Sequence, residues 1–247
     1  MKHTLWPCGG ALAAALFGAA GLTAMAPALG AGAAQRATLE ERAVAPFDRV
    51  AVDAPAELLI TQGSAESLAI EAEARVLPLL RTRVESGTLV IGVVGSMQTA
   101  LPIRLRGTLR TLALLRADGA ADVQIGALRT PALALQLAGS SRARVAELTA
   151  ERVDIQLEGS SELQVQRGQI KHQQVRVDDA ARYDAAGLRS DQTQIEVRGS
   201  GEAQVHAGQR LDAQLSDSGR LGYSGSPRLT QRSSGAAELS AIRLEKP

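Results

Sequence analysis

The sequence predicts an all-β protein whose main body is a solenoid of parallel coils, about 20 residues each, with a β-rich cap at its N-terminal side. Three observations predict it. Small-residue corners recur at a fixed spacing, apolar residues alternate with polar ones between the corners, and aromatic side chains are nearly absent.

The corners come first. From residue 118 onward they are Gly119-Ala120-Ala121, Gly139-Ser140-Ser141, Gly159-Ser160-Ser161, Asp179-Ala180-Ala181 and Gly199-Ser200-Gly201, 20 residues apart. The spacing then tightens to Asp217-Ser218-Gly219 and Ser233-Ser234-Gly235. Gly119, Gly139, Gly159, Gly199, Gly219 and Gly235 are the expected structural corners, because glycine turns a chain tightly at low steric cost. Between corners, Leu133, Leu135 and Leu137 are matched by Val153, Ile155 and Leu157, then by Val175 with Val177 and Ile195 with Val197. Period two is the strand period, and no stretch sustains the 3.6-residue pattern of a helical solenoid. Beyond residue 34 the aromatic residues are Phe47, Tyr183 and Tyr223. Globular cores draw much of their buried area from rings. A core without them is built of aliphatic residues in thin repeated layers.

Charge tests the register that the corners set. With the coils aligned on their corners, the next residue reads Asp122, Arg142, Glu162, Arg182, Glu202, Arg220, alternating in sign throughout. Parallel stacking would place these side chains about 4.8 Å apart, where each opposite pair gains roughly 0.2–1 kcal/mol. Glu158, Asp178 and Arg198 form a shorter ladder of partly similar kind.

Residues 44–115 are β-rich outside the repeat. Strands are expected at Val50–Val52, Glu57–Thr61, Leu68–Ala72, Thr88–Val93 and Ile103–Arg106, with at most a short helical turn at Arg75–Leu80. An open solenoid end exposes unpaired strand edge, so this section is expected to start and cap the stack, and residues 116–244 to form the coils.

The first 34 residues read as a signal peptide: Lys2 and His3, an uncharged apolar run from Gly10 to about Ala26, then small residues at Ala31-Gly32-Ala33-Ala34. Cleavage is expected between Gly30 and Gln35, with residues 35–43 as a linker. Cys8 precedes the apolar run and belongs to the discarded part. The chain carries 27 basic and 26 acidic residues. Loss of the leader removes Lys2 and no acid, and this balance gives no electrostatic case for nucleic acid. The mature part has no cysteine, hence no disulfide or thiolate metal site, and no transmembrane segment is expected in it.

Phe47-Asp48-Arg49-Val50-Ala51-Val52, then Glu57-Leu58-Leu59-Ile60-Thr61-Gln62-Gly63, then Val84 to Ile91 resemble the opening of a head GIN domain. The Gly-Ser-Ser and Gly-Ser-Gly corners, with Tyr223-Ser224-Gly225-Ser226-Pro227-Arg228, resemble its C-terminal half. The resemblance spans about residues 43–243. It implies a right-handed parallel β-helix-like fold and an envelope or surface location, for a family described as auto-transporter adhesins and otherwise of unknown function. It brings no catalytic residues. The departure is Asp179-Ala180-Ala181, which lacks the Gly-Ser corner. An auto-transporter barrel would show alternating strands with aromatic girdles. Neither is present up to Pro247, so export or anchoring by another component is expected.

Each residue type with potential chemistry has a simpler role. Ser140, Ser160, Ser200 and Ser218 would stack at one corner, but His172 and His206 fall at other phases, so turn hydroxyls are the expectation rather than nucleophiles. Asp118, Glu158, Asp178, Asp179 and Asp217 could suggest Ca²⁺, yet they lack the convergence calcium needs and alternate with arginine. A glycan-active β-helix enzyme would show convergent polar residues and aromatic walls. Tyr183 falls at the inward phase of Ala143, Leu163 and Ala203, and Tyr223 in a tight turn. The expectation is therefore no catalytic residue, no cofactor and no metal. The protein acts by binding an unknown protein or glycan, with homo-oligomers through solenoid edges as a further possibility and a periplasmic scaffold or sensor as the alternative. The row Gln124, Arg144, Gln164, Asp184, Gln204 is the most nearly uncharged outward row and the expected binding face.

Overall fold

The computed structural model describes residues 36–242. The expected signal peptide lies outside the described residues. The strands are β1 (Ala37–Arg42), β2 (Arg49–Asp53), β3 (Glu57–Gln62), β4 (Ser67–Glu73), β5 (Leu80–Glu85), β6 (Thr88–Val93), β7 (Arg104–Leu109), β8 (Leu114–Asp118), β9 (Asp122–Leu137), β10 (Arg142–Leu157), β11 (Glu162–Val165), β12 (Gly168–Val177), β13 (Arg182–Val197), β14 (Glu202–Leu215), β15 (Arg220–Ser224), β16 (Arg228–Ser233) and β17 (Glu238–Ala241). They form a β-solenoid of about six coils.

Each full coil has three strips, because the pairing of β9 with β10 breaks at two bends, opposite Ala146 and opposite Glu151. The first strip, stacked outward from the N-terminal side, runs β7, β3, then the starts of β9 and β10, then β11, the starts of β13 and β14, β15 and β17. The third runs β6, β2, β8, then the ends of β9, β10, β12, β13 and β14, then β16. The second, shorter strip contains residues 127–130, 147–150, 168–170 and 188–190. Alternation puts Leu133, Leu135 and Leu137 and their stacked counterparts in the core. Burying each such side chain is worth about 1.5–3 kcal/mol, which is how thin layers hold without rings.

The N-terminal section is not a lid placed on finished coils. β2 pairs with both β6 and β8, and β3 with both β7 and β9, all in parallel. The second half of the section thus folds back outside the first. Antiparallel pairing is confined to this end, where β4 covers β7, β1 covers β4, and β5 and β6 form a hairpin. Residues 35–43, expected as a linker, carry β1, whose Arg42 donates to the carbonyls of Leu77 and Leu80 at 3.0 and 2.6 Å. Buried Glu73 fastens the loop between β6 and β7. Its carboxylate accepts from the Ala100 and Leu101 amides at 2.6 and 3.0 Å and from Arg75 at 2.6 Å. Chiefly through Arg75, with these amides and Thr99 adding to it against the opposing effect of burial, its pKa falls to about 2.

At the far end the core thins. Leu215 is followed in the stack by Ser233 and Ala213 by Gln231, and β16 is exposed along its whole length, with Arg228 and Arg232 on it. Charge and polarity on an outermost strand discourage edge-to-edge association.

Candidate functional site

At the corners, Gly119, Gly139, Gly159, Gly199 and Gly235 have φ between 69 and 74°, a region costly for other residues. Each corner passes its amide to the previous coil: Ser140 to Gly119, Ser160 to Gly139 and Ser200 to Asp179, at 2.7–2.8 Å. The Asp179 corner keeps the turn. Asp179 itself is left-handed at φ 63°, and its carboxylate accepts the Gly159 amide at 3.1 Å. Asp217 repeats this at φ 60° with the Gly199 amide at 3.2 Å. Aspartate tolerates this conformation through such local hydrogen bonds.

Gly219 therefore does not play the expected corner role. Asp217 makes the turn, and Gly219 takes the third corner position, where a Cβ would lie 3.0 Å from the Val197 side chain. The turn-satisfying hydroxyls also differ from expectation. The buried Ser141 and Ser161 donate to carbonyls of earlier residues, Ala138 and Leu137, while of the exposed serines Ser200 reaches the Asp179 carbonyl.

The charge row is in register from Asp122 through Arg142, Glu162, Arg182 and Glu202 to Arg220, and Glu238 follows. It closes in pairs: Arg142–Glu162 at 3.6 Å and Arg182–Glu202 at 3.4 Å. Asp122 turns instead to Arg144 at 3.4 Å. The neighbouring row Gln124, Arg144, Gln164, Asp184, Gln204 is likewise partly self-satisfied, since Gln164 donates to Asp184 at 3.3 Å. At the edges of the second strip Arg167 meets Glu147 at 2.9 Å, and Lys171 meets Glu151 at 2.7 Å at the bend beyond it. A hollow of about 690 Å³ lies beside that last pair, over Pro131, Ala150 and Ile170.

The third strip is different. Two adjoining hollows, of about 160 and 320 Å³, share Asp154, Gln174 and Gln194. The first extends to Gln156 and Gln214, the second to His172 and Gln192. Charges are present in equal number of each sign, and most pair locally: Arg176 with Glu196 at 2.9 Å and Arg210 with Asp212 at 2.7 Å, while Arg152 and Asp154 form no ion pair among the described residues. Among the described residues, no side-chain hydrogen bond to protein engages the amides of Gln156, Gln174, Gln192, Gln194 or Gln214.

Beneath this strip is a polar network that the sequence reading missed. Tyr183, fully buried at the inward position between Leu163 and Ala203, donates to Gln173 Oε1 at 3.1 Å. Gln173 Nε2 donates to Ser190 Oγ and Thr193 Oγ1 at 3.1 and 2.9 Å, and Ser190 donates to the His206 carbonyl at 2.8 Å. Burial raises the Tyr183 pKa well above its ordinary value. The available signal was that Gln173 and Thr193 occupy the inward phase of Leu133 and Val153.

His206 Nδ1 lies 2.9 Å from Ser224 Oγ, a pair that no spacing argument anticipated. Burial, and secondarily Arg189, lowers the His206 pKa. Among the described residues no carboxylate hydrogen-bonds this ring, and Ser224 is buried. The pair lacks the third group that orients a catalytic histidine.

The family described as "Putative auto-transporter adhesin, head GIN domain" matches residues 46–227. The chain belongs to the head GIN domain family. Solved structures share the fold. A protein from Bacteroides fragilis described as an adhesin aligns with TM-score 0.78 at 20% identity, covering 84% of this chain and 98% of its own. A Parabacteroides distasonis protein described as lipid binding gives 0.68 at 19%, covering 84% and 97%. A Parabacteroides merdae protein described as an adhesin gives 0.67 at 16%, covering 84% and 97%. No functionally curated protein matches the chain.

Proposed function

We propose that this head GIN protein is an exported envelope or surface protein of adhesin-like type that acts by binding along the side of its solenoid, without catalysis. The observation that carries this reading is the contrast between strips. The outward charges of the first two largely pair with one another and their unengaged amides, such as Gln124 and Gln204, stand on distant coils, whereas the third gathers Gln156, Gln174, Gln192, Gln194 and Gln214 around two adjoining hollows. Repeat scaffolds bind through extended surfaces of this kind. The family description, the signal-peptide pattern at residues 1–34 and the fold shared with the proteins described as adhesins support the location and the role. Among the described residues no helix is long and apolar enough to cross a membrane.

The test is fractionation of the native host, with the protein traced by antibody through periplasm, membranes and medium. Recovery on the cell surface or in the medium is the expected result. Confinement to the soluble periplasm would overturn adhesion and leave a periplasmic scaffold or sensor in its place.

A further inference from the structure

We infer that the third strip is a binding site for a neutral glycan chain, laid along the solenoid axis over Gln174 and Gln194. The inference rests on the binding role proposed above and names the ligand class. Four features converge on it.

The amide of Gln174 and that of Gln194 stand on adjacent coils in direct register, flanked in the same row by Asp154 and Asp212. Stacked strands repeat about every 4.8 Å, so the row offers a regular series of polar contacts along the axis. An amide carries two donors and two acceptor sites in one plane. A pair of neighbouring sugar hydroxyls, each both donor and acceptor, matches such a group in either orientation. Side chains that stack this way can form amide ladders with one another. Here Gln174 and Gln194 do not, and Asp154 and Asp212 at the ends of the row interrupt any continuous ladder.

Charge argues for a neutral ligand. Around the hollows Arg152, Arg176 and Arg210 stand against Asp154, Glu196 and Asp212, with Arg176 paired to Glu196 and Arg210 to Asp212. The strip therefore carries no net charge to draw a phosphate, sulfate or nucleic acid. Its outward positions beside the hollows are polar, with Ile155, Val175 and Ile195 facing inward in the core. A peptide ligand would find no apolar pocket for an anchoring side chain, the usual source of its affinity.

The hollows adjoin through shared residues, which suits a chain rather than a single sugar. The Tyr183–Gln173–Thr193 network lies under the same coils and fixes the backbone that carries Gln174 and Gln194. Neither hollow is lined by Phe, Tyr or Trp, so each sugar contributes little and affinity accumulates with length.

Binding is measured on the purified protein by calorimetry against neutral oligosaccharide series of increasing length, chosen from a glycan array. Affinity is expected to rise with length and to be unchanged between low and high salt. The double variant Gln174→Ala/Gln194→Ala should weaken it about tenfold, the loss of one or two hydrogen bonds. Gln124→Ala/Gln204→Ala, on the first strip, should leave it unchanged, and unfolding midpoints of both variants should equal that of the parent. Absence of any neutral glycan ligand, steep salt dependence, or binding untouched by the first variant would overturn the inference. Capture of a protein ligand that the first variant loses would overturn the glycan and leave the binding role standing.

Discussion

The two halves of the solenoid use the same parallel stacking but reach it by different routes. In the C-terminal coils the next strand in the stack is the next coil in sequence, so register in space equals register in the chain. In the N-terminal section β3 lies between β7 and β9, far apart in sequence, and β2 between β6 and β8. The first arrangement depends on repeated small corners and nearest-neighbour contacts. The second depends on particular long-range clasps such as Glu73 and Arg42. Damage to a coil should therefore propagate through the stack, while damage to a clasp should stay local.

The sharpest way to break this contrast is at a close approach inside a coil. A Cβ on Gly168 would lie 2.0 Å from the Leu148 carbonyl oxygen. Gly168→Ala should cost about 3 kcal/mol, the upper range for single substitutions, seen as a lowered chemical-unfolding midpoint for the whole domain. Gly159→Asp is the milder companion, since aspartate already serves at Asp179 and Asp217. A Gly159→Val change, which has no such local hydrogen bond, should fall between them.

Next comes the buried network. Tyr183→Phe strands Gln173 Oε1 in the core and should cost about 1–3 kcal/mol, again as a shift of the global midpoint. Because the folded Tyr183 pKa is raised, its contribution is intact below the ordinary tyrosine value and is lost as pH rises above it.

The clasp is tested by acid. Glu73 has a lowered folded pKa, so its contribution is present above its ordinary value of 4.5 and is lost as pH falls from there towards about 2. The hydrogen-exchange protection factors of the Ala100 and Leu101 amides should fall across that window while those of β10 and β13 hold. Equal loss of protection in both halves would remove the distinction. Smallest of all is Glu162→Gln on the exposed ladder, expected to change stability by less than about 0.5 kcal/mol, with the unfolding midpoint as the readout.

The same difference explains what was legible in the sequence. The corners, the alternation and the ladder could be read because a 20-residue period superimposes them. The strands at 49–53, 57–62, 67–73, 88–93 and 104–109 were visible one by one, but their interleaved order was not, since nothing local encodes a partner so distant. β1 was missed because its sequence is mostly polar and exposed, and its pairing with β4 is what makes it a strand. Asp217 was overlooked as a turn former because Gly219 stood nearby. Gly168, Gly187 and Gly225, each with a Cβ position about 2 Å from a carbonyl oxygen of the preceding coil, fall out of step with the 20-residue corners and are absent from the coils between. The candidate site was the least legible. The Gln124 row stands out in sequence as the most nearly uncharged one, whereas what distinguishes Gln174 and Gln194 is that their unengaged amides line both hollows.

The alternating ladder has a consequence for how such a chain can change length in evolution. Each coil touches only the coils on either side, so gaining or losing one whole 20-residue unit preserves every corner. It does not preserve the sign. Deleting the unit that carries Glu162 would set Arg142 directly against Arg182. Two units removed or duplicated together restore attraction at every junction. The ladder therefore marks the pair of coils, one acidic and one basic, as the segment that recombination can exchange at least cost.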